Sequence, residues 1–144
     1  MKEILTCVIG TFAFSVLLKV PKRLLFITTF GGLISSSVYY FLDTNHKGTL
    51  ASTLCAMMAI TLYAEILARV KKTPATVILL PSTVPLLPGS AIYYAMHSAL
   101  NGNTEKLRYY AAETIKTATG MGLGAVIITV LVYFVSTQIA YYKS

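Results

Sequence analysis

Charged residues are scarce in this sequence. They make up 12% of its 144 residues, whereas hydrophobic residues make up 56% and the mean hydropathy is +0.69. A soluble globular domain usually carries about twice this charged fraction. The charges also cluster at 19–23, 43–47, 69–72 and 105–116, with apolar runs between them. This pattern excludes an ordinary soluble domain and predicts an integral membrane protein.

Residues that bind metals or perform catalysis are equally few. The sequence has two cysteines, Cys7 and Cys55, and two histidines. Both cysteines fall within apolar runs, where a small, buried apolar role is expected, and the pair is too sparse for a disulfide framework or a metal site. No Ser/His/Asp, Cys/His or paired-carboxylate arrangement is present. We therefore expect no enzyme activity, no metal and no cofactor.

Acidic residues are outnumbered by basic ones, five to twelve, which gives a net charge of +7. In a soluble protein this excess would suggest a nucleic-acid partner. Here the cations lie in short loops beside apolar runs, and no basic patch is interleaved with aromatics that could stack on bases. We expect the lipid bilayer, and not nucleic acid, as the partner of these charges.

The apolar runs are long enough to cross a membrane. A bilayer core of about 30 Å takes roughly 20 residues of helix, and five apolar runs come close, at 4–20, 24–42, 50–68, 76–100 and 117–142. Only glycines interrupt the helical pattern from Leu107 onwards, so the fifth predicted span covers 107–142. The last run includes glycines, which membrane helices tolerate. The prediction is an all-α, multi-pass protein with about five transmembrane helices in a single transmembrane domain, 1–144.

The loop charges predict an orientation. Among the short loops, six cations lie at 19–23 and 69–72, against one, Lys47, on the other side. Lys143 at the C-terminus joins the richer side. By the positive-inside rule, the N-terminus lies outside and the C-terminus in the cytoplasm. We expect the chain in the cytoplasmic (inner) membrane.

The fourth run is unusual because it contains the stretch PSTVPLLPGSAIYY at 81–94, with three prolines in eight residues. Proline lacks a backbone N–H and clashes with the preceding helical turn. In lipid, unwound backbone survives only where it is buried in protein or lines a wet cavity. The stretch therefore predicts a fourth helix that is broken near Pro88 and Gly89. A kinked structural helix without a ligand is the alternative.

A broken helix suggests a binding site. The N-terminus of its second half presents free N–H groups and partial positive charge, which attract a carboxylate. We expect the amides of Gly89 and Ser90 to contact the substrate carboxylate. The predicted substrate-binding residues are Ser82, Pro88, Gly89, Ser90 and Tyr93.

Four further polar residues are candidates for a relay or a gate. Glu65 has Arg69 four residues later, and an interfacial ion pair is favoured over a proton relay. Glu113 and Lys116 form either a solvated pair or part of an outer vestibule. His97 has no metal-binding neighbour in sequence, and packing is favoured over a ligand role.

Small residues recur at four-residue spacing in the last run, where Gly120 and Gly124 form a GxxxG pattern. Such spacing lets two helix backbones approach closely. We expect these glycines to lie at a helix contact.

Two motifs carry a resemblance to a known family. The stretch PSTVPLLPGSAIYYAM resembles the proline-rich signature of the threonine/serine exporter family, and VPKRLL, near the end of the first run, resembles a shorter motif of that family. The matching residues of the longer motif are Pro81, Pro85, Pro88, Gly89, Tyr93, Ala95 and Met96. In length and number of spans the chain is similar to the small subunit of two-component members.

The resemblance implies secondary export of threonine or serine, or of dicarboxylates. It also implies a larger partner subunit with five spans and a cytosolic domain. Two rival functions remain open, a non-transporting assembly or regulatory membrane subunit and a channel-like pore. A homo-oligomer also remains open.

Overall fold

The computed structural model describes residues 2–44 and 48–142, and these residues form helices and turns without a strand. Lys47 and Lys143, which enter the charge count above, lie outside the described residues. The helices are α1 (Lys2–Leu17), α2 (Lys22–Thr44), α3 (Thr49–Lys71), α4 (Ala75–Ser82), α5 (Gly89–Leu100) and α6 (Thr104–Tyr142). A 3₁₀ turn, Val84–Leu86, lies between α4 and α5.

Three helices, α2, α3 and α6, are long and apolar enough to cross a membrane. The segment from Ala75 to Leu100 passes the same test only as a pair of helices, which meet at an angle of 42°. The apolar part of α1, Leu5–Leu17, is shorter than a full span. The described part of the chain is therefore all-helical, with three helices long and apolar enough to span a membrane, or four if the bent pair is one span.

Helix α3 packs along α6 through the glycines of the GxxxG pattern. A Cβ atom added at Gly120 would lie 2.9 Å from the carbonyl oxygen of Leu50, and one added at Gly124 would lie 2.8 Å from that of Leu54. A larger side chain does not fit at either distance, so the absence of a side chain is what allows the two backbones to approach. The same pattern predicted this helix contact.

Buried hydroxyl groups connect α1, α2 and α4. The hydroxyls of Ser15 and Thr28 are 2.9 Å apart, the Ser82 hydroxyl donates to the Thr28 carbonyl oxygen at 3.0 Å, and the Ser35 hydroxyl donates to the Ser82 carbonyl oxygen at 3.0 Å. Hydrogen bonds of this kind stabilise helix contacts where no water is available. They hold the C-terminal end of α4 against the middle of α2.

The apolar side chains divide between a small core and a large outer surface. Ala56 and Ile60 of α3 are completely buried, whereas Phe26 is 83% exposed and Leu100 is 87% exposed. In water this exposed apolar surface would be unfavourable. In a membrane it contacts lipid tails or a neighbouring helix.

Candidate functional site

A partly open cavity of about 520 Å³ lies beside the start of α5. Its walls come from the C-terminal half of α2, the start of α3, the segment 85–94 and the first turns of α6. The polar lining residues are Tyr39, Asp43, Thr49, Ser90, Tyr94, Tyr109, Tyr110, Glu113 and Thr117. The cavity therefore combines a helix N-terminus, hydroxyl groups and carboxylates in one space.

The prolines explain how α5 begins at this cavity. Helix α4 includes Pro81 and ends at Ser82, the 3₁₀ turn includes Pro85, and Pro88 (φ −77°, ψ 48°) immediately precedes α5. Proline cannot donate a backbone hydrogen bond, and each of these prolines removes one donor from a continuous helix. The chain is thus redirected, and the first turn of α5 borders open space.

The free amides of α5 are not the pair that the sequence indicated. The Gly89 amide donates to the Leu87 carbonyl oxygen at 2.8 Å. Within the described part of the chain, the amides of Ser90 and Ala91 have no backbone acceptor, as expected for the first turn of a helix. Both of these residues line the cavity. The amides available to a ligand are therefore those of Ser90 and Ala91.

Glu113 is the carboxylate with the most contacts in this cavity. Thr49 Oγ1 donates to Glu113 Oε2 at 2.6 Å, and Lys116 Nζ lies 3.0 Å from Oε1. Lys116 sits one turn further along α6 and does not line the cavity. The ion pair that the i, i+3 spacing suggested is present, and Glu113 also forms part of the cavity wall.

Four tyrosines surround the same space. Tyr94 of α5 stacks on Tyr110 of α6 with ring centres 5.2 Å apart, and Tyr110 meets Tyr109 edge to face at 5.3 Å. Tyr39 of α2 lines the cavity as well. The tyrosine contacts connect α5 to α6, which are joined by a short loop around Gly102.

The structure separates the predicted binding residues into three groups. Pro88 and Ser90 line the cavity, and Gly89 lies between them. Tyr93 is 64% exposed and stacks on His97 with ring centres 6.3 Å apart, and neither ring lines the cavity.

Ser82 lies apart from the other two groups, because its side chain is fully buried. The hydroxyl donates to the carbonyl oxygens of Thr28 and Ile78, at 3.0 and 2.7 Å. Its contacts are those of a helix-packing residue.

Sequence reasoning chose Tyr93 over its neighbour Tyr94, and it missed Tyr110 and Thr117. On α6, residues 110, 113 and 117 follow the i, i+3, i+7 spacing of one helix face. A polar face at this spacing in an otherwise apolar run was the signal that could have revealed them.

A second cavity, of about 440 Å³, lies at the opposite end of α3 and is lined in part by Glu65, Arg69 and Lys72. The predicted ion pair between Glu65 and Arg69 is absent from the structure, so this prediction is wrong. Among the described residues, the salt bridge present is that of Lys116 with Glu113. Arg69 instead donates to the hydroxyl of Ser136 on α6. Because α3 and α6 run close together, the guanidinium group of Arg69 contacts Ser136 and not Glu65.

Comparison with known proteins identifies the family. The family model described as Threonine/Serine exporter, ThrE, matches residues 3–131. The chain belongs to the threonine/serine exporter family. All residues that line the larger cavity lie within the matched segment.

One curated member of this exporter family gives a more distant match. A Corynebacterium glutamicum protein named threonine/serine exporter is 28% identical over 94 residues, which cover 65% of this chain. The match covers only 19% of that protein. No solved structure is significantly similar to this exporter-family chain.

Proposed function

We propose that this chain is a subunit of a secondary exporter for small carboxylate-bearing metabolites, such as threonine- or serine-like amino acids or dicarboxylates. The observation that carries this proposal is the cavity of about 520 Å³ at the start of α5. The substrate carboxylate would accept hydrogen bonds from the amides of Ser90 and Ala91, with the Ser90 hydroxyl beside them. A volume of this size suits a metabolite of this class with some water.

The proposed architecture has five spans. Helix α1 is the first span and the bent pair α4–α5 is the fourth, broken at the proline-rich stretch. Lys19, Lys22 and Arg23 lie on the same side as Lys71 and Lys72 in this arrangement, which supports a cytoplasmic location for that side. The chain would lie in the inner membrane with its N-terminus outside. The larger cavity would then open outwards and the Glu65 cavity towards the cytoplasm.

The proposed partner is a larger subunit with five spans and a cytosolic domain. Two observations support a partner. The chain spans only about a fifth of the length of its curated relative. Large apolar side chains along α1, including Leu5, Ile9 and Leu17, are 61–72% exposed, which leaves a surface for another helix or for lipid.

Metabolite efflux tests this function directly. Cells lacking their own exporters would be loaded with threonine, serine or succinate, and efflux would be followed with this chain alone, with its partner and with neither. We expect efflux above background when both subunits are present. Assembly of the pair without efflux would instead favour the assembly or regulatory role, and efflux at channel-like rates without saturation would favour the pore.

Substitutions at the start of α5 locate the site. A Cβ atom added at Gly89 has no other residue within 4 Å, so Gly89→Ala creates no clash within the protein. We expect Gly89→Val to abolish efflux because its branched side chain projects where the ligand must approach the backbone. Ser90→Ala removes one neutral hydrogen bond and should weaken apparent affinity about fivefold.

The matched controls are Gly89→Ala and Pro88→Ala, compared at equal membrane abundance. If α5 is only a kinked packing helix, these two controls should export normally, because both substitutions favour helix. Gly89→Val and Ser90→Ala should then export normally as well. Near-normal efflux by Gly89→Val would therefore exclude a binding site at this stretch.

A further inference from the structure

The charged residues that line the larger cavity are acidic, although the whole chain is basic. The sequence has twelve Lys and Arg and only five Asp and Glu. Two of those five acids, Asp43 and Glu113, line this one cavity, and the described lining residues include no Lys, Arg or His. The described lining residues therefore carry two formal negative charges and no positive one, with Lys116 beside Glu113 outside the lining.

Aromatic faces lie beside these carboxylates. Tyr39, Tyr94, Tyr109 and Tyr110 all line the cavity, and Tyr94 and Tyr110 are stacked at 5.2 Å. An ammonium group within about 6 Å of a tyrosine ring is attracted to the negative face of the ring. Tyrosines combined with carboxylates thus bind ammonium ions in two ways at once.

Glu113 is positioned for this role. Thr49 and Lys116 each contact a different oxygen of its carboxylate, at 2.6 and 3.0 Å. An ionised carboxylate accepts about four hydrogen bonds, so two acceptor positions remain. Thr49 and Glu113 lie 64 residues apart in sequence, and their bond fixes the carboxylate at the junction of α3 and α6.

We propose that this cavity binds the ammonium group of the transported molecule, with Glu113 and Asp43 supplying the charge and the tyrosines the aromatic faces. Glu113 is then a specificity-determining residue that selects amino acids over dicarboxylates. The second carboxylate of a dicarboxylate would meet Glu113 and Asp43, and like charges repel. The inference rests on the proposed function for the other end of the ligand, the carboxylate at the start of α5.

Equilibrium binding tests the ammonium site without transport. The purified 144-residue chain in lipid nanodiscs would be titrated at constant ionic strength with tetramethylammonium, L-threonine and succinate. Tyrosine emission reports binding, because the chain has no tryptophan. We expect saturable binding of tetramethylammonium and threonine, and at least tenfold weaker binding of succinate.

Variants separate the charge from its surroundings. Glu113→Gln keeps an acceptor for Thr49 and should weaken tetramethylammonium and threonine binding about tenfold. Lys116→Gln breaks the same ion pair but keeps the carboxylate, and should tighten tetramethylammonium binding. Tyr110→Leu should weaken that binding about fivefold, while Tyr110→Phe, which keeps a ring face, should change it less than twofold.

Glu105→Gln is the matched control, because Glu105 is an exposed acid of α6 that does not line the cavity. Its binding should equal that of the unmodified chain. Unchanged tetramethylammonium affinity in Glu113→Gln, or succinate affinity above that of threonine, would overturn the ammonium site.

Efflux measured with the same variants separates this inference from the proposed function. Glu113-dependent tetramethylammonium binding without any efflux would refute the exporter and retain the ammonium site. Threonine efflux that is undiminished in Glu113→Gln would retain the exporter and refute the ammonium site.

Discussion

At the scale of single residues, Arg69 shows that the nearest opposite charge in sequence is not always the partner. Glu65 lies one helical turn away on α3, yet Arg69 donates to Ser136 of α6. An ion pair at this spacing on an exposed helix face contributes only about 0.3–0.5 kcal/mol. Because α6 lies close to α3, the Ser136 hydroxyl is a second possible acceptor for Arg69. The weak ion pair with Glu65 therefore does not form.

Double-mutant cycles should detect this choice. We expect the coupling energy between Arg69→Ala and Ser136→Ala to be about 0.6 kcal/mol, typical of hydrogen bonds between membrane helices. The coupling between Arg69→Ala and Glu65→Gln should be close to zero, since these side chains form no ion pair. Reversible unfolding of the purified variants in detergent measures both energies. A larger coupling with Glu65 than with Ser136 would contradict the structure.

At the scale of the elements, α6 is the longest helix and has two different parts. Its 39 residues extend over roughly twice the apolar thickness of about 30 Å, at about 1.5 Å per residue. The first turns hold Glu113 and Lys116 beside the cavity, and the glycines that follow contact α3. The C-terminal part is mainly exposed and apolar, as in Val130 and Phe134, which are 59% and 64% exposed.

The glycines of α6 allow a matched test of this helix contact. Gly120→Leu places a side chain against the Leu50 carbonyl oxygen and should destabilise the protein by about 2 kcal/mol or more. Gly122→Leu introduces the same side chain two residues away, where an added Cβ has no other residue within 4 Å. It should therefore be tolerated.

Thermal unfolding of both glycine variants in one detergent makes the comparison. Equal loss of stability would mean that helix propensity, and not contact with α3, determines the effect.

At the scale of the whole molecule, polar features concentrate at the two ends of the helix bundle. One end has the cavity of about 520 Å³ with Asp43 and Glu113, and the other has the cavity of about 440 Å³ with Arg69 and Lys72. The two cavities lie near opposite ends of α3. This arrangement suits a transporter that exposes its substrate to each side of the membrane in turn.

Cysteine labelling tests the orientation of the molecule. Single cysteines would replace Lys71 and Glu105 in a background without Cys7 and Cys55. By the positive-inside rule, an impermeant thiol reagent should label position 105 in intact cells and position 71 only after permeabilisation. Labelling of position 71 in intact cells would reverse the proposed orientation, and with it the side to which each cavity opens.

The sequence alone determined the class of this protein. Scarce charge and apolar runs specify helices in a membrane, because only lipid accommodates so much apolar surface and lipid requires satisfied backbone groups. The motif around Pro88 and Gly89 led to the family, and the spacing of Gly120 and Gly124 led to a helix contact. These properties depend on residues that are close together in the sequence, so the sequence of one chain is enough to predict them.

Only the tertiary structure decided which polar side chains meet. A helical pattern shows which residues share one face of a helix, but it does not show what that face packs against. Only the structure shows that Tyr94 lines the cavity and that Tyr93 does not. Ser82 became a contact of α2 because Thr28, 54 residues earlier, lies opposite it. Glu113 likewise accepts a hydrogen bond from Thr49, which lies 64 residues earlier in the sequence. Hydrogen bonds between helices depend on how the helices pack, and packing distances are not encoded in local spacing.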